Sequence, residues 1–391
     1  MEKERIEYLR NFYQQYLLEN CIPFWIKNGL DHQYGGIWSC LDQKGDVYNT
    51  DKSVWFQGRG TWMFSRLYNL MGQKAEWLNA AKLGYDFLIN HCFDLDGRMF
   101  FSVTRDGKPL QKRRYMFSET FAIIACAEYS KASGDKAALD RARQIYEMVL
   151  DLYRNPGKIQ PKINPQTRMT KALAMPMILL NTTQSLREID PDLKYDGLAK
   201  EFVDEILKDF FKPSAGAAFE IVGPKGERLD SPQGRCINPG HSIEASWFIM
   251  HEGIYRKDQQ LIDQALQLLD CSLKIGWDDL YGGLLSFVDI EGKPTEQLEA
   301  DMKLWWPHTE ALHALLLAHH LTGNTKYEEW YNKVHVWSFG HFADQKNPEW
   351  FGYLHRDGSV SKTLKGSMWK GPFHLPRVLL LNTKLLETMG K

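Results

Sequence analysis

No stretch of this 391-residue sequence approaches the roughly 20 consecutive apolar residues that cross a bilayer, so it is not built from membrane-spanning helices. Cysteine is sparse. The six residues at 21, 40, 92, 126, 236 and 271 form no C-x-x-C pair, which argues against a disulfide framework and against structural zinc. The opening Met1-Glu2-Lys3-Glu4-Arg5 has no apolar signal region, and with the cysteine pattern it reads as a reduced, cytoplasmic protein. Neither sign of charge is in excess: 48 Lys and Arg meet 49 Asp and Glu. That balance removes the electrostatic case for a nucleic-acid or membrane-surface partner, although Lys112-Arg113-Arg114 is a local basic run, and it favours a neutral or weakly charged small molecule. A Walker-type phosphate loop and an H-E-x-x-H helix are missing as well.

The chain does have apolar residues to bury. At 43% hydrophobic and 13% aromatic it can form a large core, yet it is long for one domain unless a repeat extends it. Residues 4–20 carry Ile6, Leu9, Tyr13, Tyr16 and Leu17 on one helical face, a pattern that Pro23 ends. Beyond it one sentence is written repeatedly: a short strand, a glycine turn, then an apolar helical run. The turn glycines are Gly45, Gly107, Gly226, Gly292 and Gly358, and the helices they lead to begin near Arg59, Ser118, His241, Trp305 and His374. A degraded copy from Asn155-Pro156-Gly157 to Lys171 fills the one double-length interval. Breaks such as Gly72, Gly134 and Gly323 separate each opening helix from a second one. The spacing therefore predicts an all-α fold of six helical hairpins, an (α/α)6 barrel with short β-hairpin loops at one mouth. Residues 1–391 form one domain in this reading, and the N-terminal helix pairs with the C-terminal helix to close the ring. An open helical solenoid is the alternative.

If the units are equivalent, the opening helices line the barrel and their N-termini converge. They bring Arg59, Glu119, Lys171, His241 with Glu244, His308 with Glu310, and His374 with Arg377 to one mouth. Helix N-termini favour an anion formed during reaction and keep a nearby histidine neutral, which suits proton transfer next to a carbonyl. Plainer readings stand beside this one. A lone histidine at a helix start is more often a cap, Glu244 and Glu310 suit the helix dipole as first-turn carboxylates, and Lys171 reads as a solvated charge. Trp305 and Trp306 are core residues or faces on which a sugar ring stacks. His319, His320, Cys92 and Cys236 read as structural. The H-x-x-E order at 241–244 reverses the di-iron helix motif, so no metal is assigned. A glycosidase pairing of Glu244 with Glu310 would leave the histidines and Arg59 without work.

The strings DKSVWFQGR (51–59), INPGHSIEASWF (237–248), KLWWPHTEAL (303–312) and WKGPFHLPR (369–377) resemble the motifs of the N-acylglucosamine 2-epimerases, also called renin-binding proteins. Four long motifs in order span nearly the whole chain. The resemblance implies an (α/α)6 barrel that interconverts N-acetylglucosamine and N-acetylmannosamine, usually as a homodimer, with ATP as an activator that is not consumed. By motif, Arg59, His241, Glu310, His374 and Arg377 match positions the family uses. On this reading His241 and His374 are the acid-base pair at C2, Glu310 orients or charges one of them, and Arg59 with Arg377 stabilises the enediolate. Arg377, Glu244, His308, Trp305, Trp306 and Lys303 are expected to bind substrate. No cofactor is expected in the chemistry itself. The wider group of sugar isomerases and cellobiose epimerases places a further histidine where this chain has Ala174-Met175-Pro176-Met177. Competing readings are an aldose-ketose isomerase, a cellobiose 2-epimerase-like enzyme and a non-enzymatic binding protein.

Overall fold

Two kinds of helix alternate along the chain, and burial tells them apart. The computed structural model describes residues 1–391. Its inner helices are α3 (Val54–Met71), α5 (Phe117–Ser133), α7 (Ala174–Arg187), α10 (Pro239–Arg256), α12 (Trp305–Thr322) and α14 (His374–Met389). The outer helices are α1 (Lys3–Gln15), α4 (Ala75–His91), α6 (Lys136–Arg154), α8 (Lys194–Glu205), α11 (Gln259–Gly276) and α13 (Thr325–His341); α2 (Ile22–Asn28) and α9 (Pro232–Arg235) are short extras. From Ser118 to Ser130 every residue of α5 is buried, and so is every residue of α12 from Pro307 to His319. A helix that is apolar all round must be covered on all sides. By contrast α6 buries only the stripe Ala138, Ala142, Ile145, Tyr146, Val149 and Leu150, as a helix with one wet face does.

Each inner helix packs on the next, in the order α3, α5, α7, α10, α12, α14 and back to α3, so the ring closes. The outer helices pack on their hairpin partners, and α1 packs on α14. One connected cluster of 95 buried residues runs through the hairpins, which leaves no internal break in the core. Asp135, Asp258 and Asn324 cap the outer helices through their side chains, while Gly134 and Gly323 end the inner ones in the left-handed conformation. The N-terminal helix departs from expectation. Pro23 does not stop it, because a π turn over Tyr16–Cys21 widens the helix and Pro23 falls in the first turn of α2, where its missing N–H costs little.

At the mouth the strands pair between units as well as within them. Lys52–Ser53 pairs with Ser102–Val103, Lys171–Ala172 with Ile221–Val222, Cys236–Ile237 with Val288–Asp289, and Lys303–Leu304 with Tyr353–Leu354. Backbone bonds from Lys365 and Leu41 fasten the last unit to the first in the same way. The segment leading into α5 makes no such pair with the segment leading into α7. Five of the six joints are therefore stitched.

Buried ion pairs staple the loops beneath these strands. Lys52 Nζ lies 2.9 Å from Asp31, which also binds Arg105. Lys303 Nζ lies 2.9 Å from Asp278, which also binds Arg356. The aspartates begin the matching turns at Asp31-His32-Gln33-Tyr34-Gly35-Gly36 and Asp278-Asp279-Leu280-Tyr281-Gly282-Gly283. Gly283 has φ 74°, and a Cβ there would meet the Trp337 ring at 2.7 Å, so glycine is required. All six cysteines are free thiols.

Candidate active site

A cavity of about 280 Å³ opens where the inner helices begin, and its polar lining is Arg59, His241, Glu244, His374 and Arg377. Helix phase selects these residues. Arg59, Glu244 and Glu310 each lie five positions past the start of their inner helix, and each points into the cavity or directly beneath it. A residue two positions earlier is turned through roughly 200° and faces outward.

That rotation corrects one of the sequence assignments, and a buried ion pair corrects a second. His308 stands at the position of Gln57. Gln57 Oε1 accepts the Ile37 N–H at 2.7 Å, and His308 Nε2 accepts the Leu284 N–H at 2.8 Å, each just past a Gly-Gly turn. The other ring nitrogen of His308 donates to the Leu304 carbonyl at 2.7 Å, and the ring stacks on Trp337. Both nitrogens are used and the residue is fully buried, with burial pushing its pKa down to about 3. It holds a loop and does not line the cavity. Lys303 is likewise buried against Asp278 and the Gly283 carbonyl, away from substrate space. Two further expected mouth residues are structural. Glu119 accepts the Met99 N–H and pairs with Arg98, and Lys171 sits between Glu205 and Asp209 rather than in solvent.

The remaining candidates come together. Asn238 caps α10 by accepting the His241 N–H at 3.0 Å, which fixes the backbone from which the His241 ring projects. His241 Nδ1 lies 2.8 Å from Glu220 Oε1. His374, the first residue of α14, places Nδ1 2.8 Å from Glu310 Oε1. A carboxylate only accepts, so Nδ1 carries the hydrogen in both rings and each Nε2 is left for the cavity. Trp306 stands between the rings, with centroids 5.2 Å from His241 and 5.8 Å from His374. Trp305 is buried behind His374 and meets it edge-on.

Below His374, Arg377 Nη2 binds Glu244 at 2.7 Å and Glu310 at 2.6 Å, while Trp247 Nε1 donates to Glu310 at 3.0 Å. Burial raises the Glu310 carboxyl and Arg377, Trp247 and Arg59 oppose it; with both oxygens accepting, it works as an anion. His374 is held well below the usual histidine value by burial and by the Arg377 and Arg59 cations. His241 behaves oppositely. Burial pulls it down, but Glu220 and Glu244 outweigh burial and raise it. Arg59 has no carboxylate within ion-pair distance; its guanidinium lies over Phe121 at 4.1 Å, and its buried Nε has no partner. Burial lowers its pKa to about 9, so it stays a cation at neutral pH.

The family described as N-acylglucosamine 2-epimerase (GlcNAc 2-epimerase) matches residues 36–374. The bovine (Bos taurus) N-acylglucosamine 2-epimerase is 36% identical over 100% of this chain and 94% of its own length. The chain belongs to the N-acylglucosamine 2-epimerase family. A cellobiose 2-epimerase of Dictyoglomus turgidum is 26% identical over 94% of this chain and 96% of its own. In fold, the structure of cellobiose 2-epimerase from Spirochaeta thermophila superposes with TM-score 0.85 at 21% identity, covering 99% of both chains. Carbohydrate 2-epimerases are isomerases, and the (α/α)6 barrel is shared among them.

For a 2-epimerase family member, several groups at the site went unassigned in the sequence. Glu220 lies in the bend between the strands Ala217–Ala218 and Ile221–Val222, 21 residues before His241, with no motif to connect them. Trp55 and Trp369 meet edge-on and line the same cavity as Trp306, and both stand inside the motif strings quoted for the family. Trp247 shows only as one apolar residue in the α10 periodicity. Glu244, Glu310 and His374 bring donor atoms within 4.8 Å of one another, but the positive charge they meet is the Arg377 guanidinium. A larger cavity of about 400 Å³ lies beneath Phe373 and Arg377. Its charges are spent internally, Arg66 on Glu128 and Glu188, Arg187 on Glu252 and Asp196. No helix of the structure is long and apolar enough to cross a membrane.

Proposed function

We propose that this protein interconverts N-acetylglucosamine and N-acetylmannosamine by removing and replacing the proton at C2. The observation that carries the reading is the pair of histidine–carboxylate dyads on one cavity, delivered by α10 and α14 from either side of α12, with two arginines beside them. Inversion at C2 needs an acid-base group on each face of the open-chain sugar. His374, kept neutral, removes the C2 proton through Nε2; the electron pair moves onto the C1 carbonyl oxygen to give an enediolate. Arg59, whose charge no carboxylate claims, stabilises that oxygen, and Arg377 adds to the positive field. His241 then protonates C2 on the other face. Trp306, Trp305, Trp55 and Trp369 supply flat apolar surfaces for the sugar's C–H faces.

The same family reading carries a homodimer and ATP as an activator that is not consumed, and the scattered free thiols support a reducing, cytoplasmic location. A proton NMR time course of N-acetylmannosamine in D₂O, with and without ATP, tests the proposal. N-acetylglucosamine bearing deuterium at C2 is the expected product. A product without deuterium excludes deprotonation, and label at C1 of a ketose assigns an aldose-ketose isomerase instead.

A further inference from the structure

The two dyads match in length but not in company. Glu310 shares its charge with Arg377 at 2.6 Å and with the Trp247 indole, so little of it is left for His374. Glu220 has no lysine or arginine within ion-pair distance, and His241 is its one cationic partner. The Glu220 backbone is fixed on both sides. Its N–H donates to the Cys236 carbonyl at 3.2 Å, and its carbonyl accepts the Leu173 N–H at 3.0 Å, so the side chain is aimed from the joint between the third and fourth units. The groups around His241 are few. Glu220 comes from the bend between Ala217–Ala218 and Ile221–Val222, Glu244 from its own helix, Trp306 from α12, and Arg59, Arg377 and His374 from across the cavity, while the Cys236 thiol lies on the Glu220 side. Burial and Glu220 push the Cys236 thiol up to about 12, so it carries no charge.

We infer that Glu220 is a positioning residue that keeps the shared catalytic proton on His241, so that the resting enzyme has His241 as its acid and His374 as its base. The inference rests on the two-base reading above. In each turnover the C2–H bond breaks and its proton goes to His374 Nε2, while the His241 Nε2–H breaks and its proton forms the new C2–H bond. The enzyme therefore finishes with the proton on His374. Before another turnover in the same direction the proton must return to His241, and the lone carboxylate of Glu220 sets that preference. His241 charge fits the groups that surround it, because Glu220 and Glu244 raise its pKa against burial.

The test compares Glu220→Gln, Glu220→Asp and wild type by the pH dependence of kcat/KM in both directions. Glutamine keeps an oxygen to accept the Nδ1 hydrogen but removes the charge. Loss of a carboxylate at this distance is worth about 1–3 pH units, so the alkaline limb of the Glu220→Gln profile should move to lower pH by about 1 unit or more. Glu220→Asp should return most of that shift. Both directions must move together, since the equilibrium constant belongs to the sugars. Nitrogen-15 NMR of the His241 ring should follow the same change, and thermal melts of the variants give the control for folding. An alkaline limb that stays in place in Glu220→Gln, whatever the drop in rate, would overturn the inference and leave Glu220 structural. Failure of the wild type to exchange the C2 proton would instead remove the two-base reading itself.

Discussion

The His241 and His374 sides of the cavity are built from the same parts and arrive at opposite charges. Both present an imidazole whose Nδ1 meets a glutamate at 2.8 Å. On the His374 side the glutamate is fully buried and already neutralised by Arg377, and a second arginine faces the ring, so the proton is repelled. On the His241 side the glutamate has no other cation, and the proton is held. What separates acid from base here is the partner of the carboxylate, one bond further out than the histidine itself.

The strongest way to break this comparison is to remove each base in turn. His241→Ala and His374→Ala should each lose about 10²- to 10⁴-fold in epimerisation, measured by polarimetry or NMR. The variants should differ in D₂O: each still washes out the C2 proton of one epimer, the one its surviving base can reach, and not of the other. Equal washout of both epimers by one variant would mean that a single base serves both faces.

Next in size is Glu310→Ala, which strands Arg377 in the core beside a single remaining carboxylate. Removing one partner of a buried pair costs about 3–5 kcal/mol, to be read from urea unfolding. Glu220→Ala, at the rim, should cost far less stability. Similar losses for the two would erase the contrast in burial on which the comparison rests.

The pH profile sharpens it further. Activity needs His374 neutral and His241 protonated. Burial, Arg377 and Arg59 lower the first, so the acid limb of kcat/KM should fall well below pH 6.5; Glu220 and Glu244 raise the second against burial, so activity should be lost only as pH rises through a limb above 6.5. A single narrow peak centred on 6.5 would contradict both shifts. The smallest effect is expected for His308→Gln, which copies Gln57 and keeps an acceptor for the Leu284 N–H. Its kcat/KM should stay within about threefold of wild type, with a stability change of about 1 kcal/mol. A hundredfold loss would return His308 to the substrate site.

The ring was legible in the chain because glycine turns and apolar runs recur, and a repeat announces its partners by period alone. Arg59, His241, Glu310, His374 and Arg377 were legible from motifs at the helix starts. His308 misled because sequence marks a first turn without marking its rotational phase, and Lys303 because nothing in the motif shows that the strand before α12 turns it onto the buried Asp278. At 100° per residue, three histidines near three helix starts need not share a direction. Glu220 was silent for a different reason. Its contact joins a bend to the helix start 21 residues later in the same unit, and no spacing in the chain encodes how the loop between them folds back.

The stitched rim has a mechanical consequence. A hoop fastened at five joints and free at the sixth is stiff everywhere except at that clasp, which lies between α5 and α7. The exposed run 160–169 hangs from it, tied to the segment before α5 by an Arg114 bond to the Pro161 carbonyl. Its amides should trade hydrogen for deuterium before any other part of the rim, which makes the weakest copy of the repeat the place where the hoop gives.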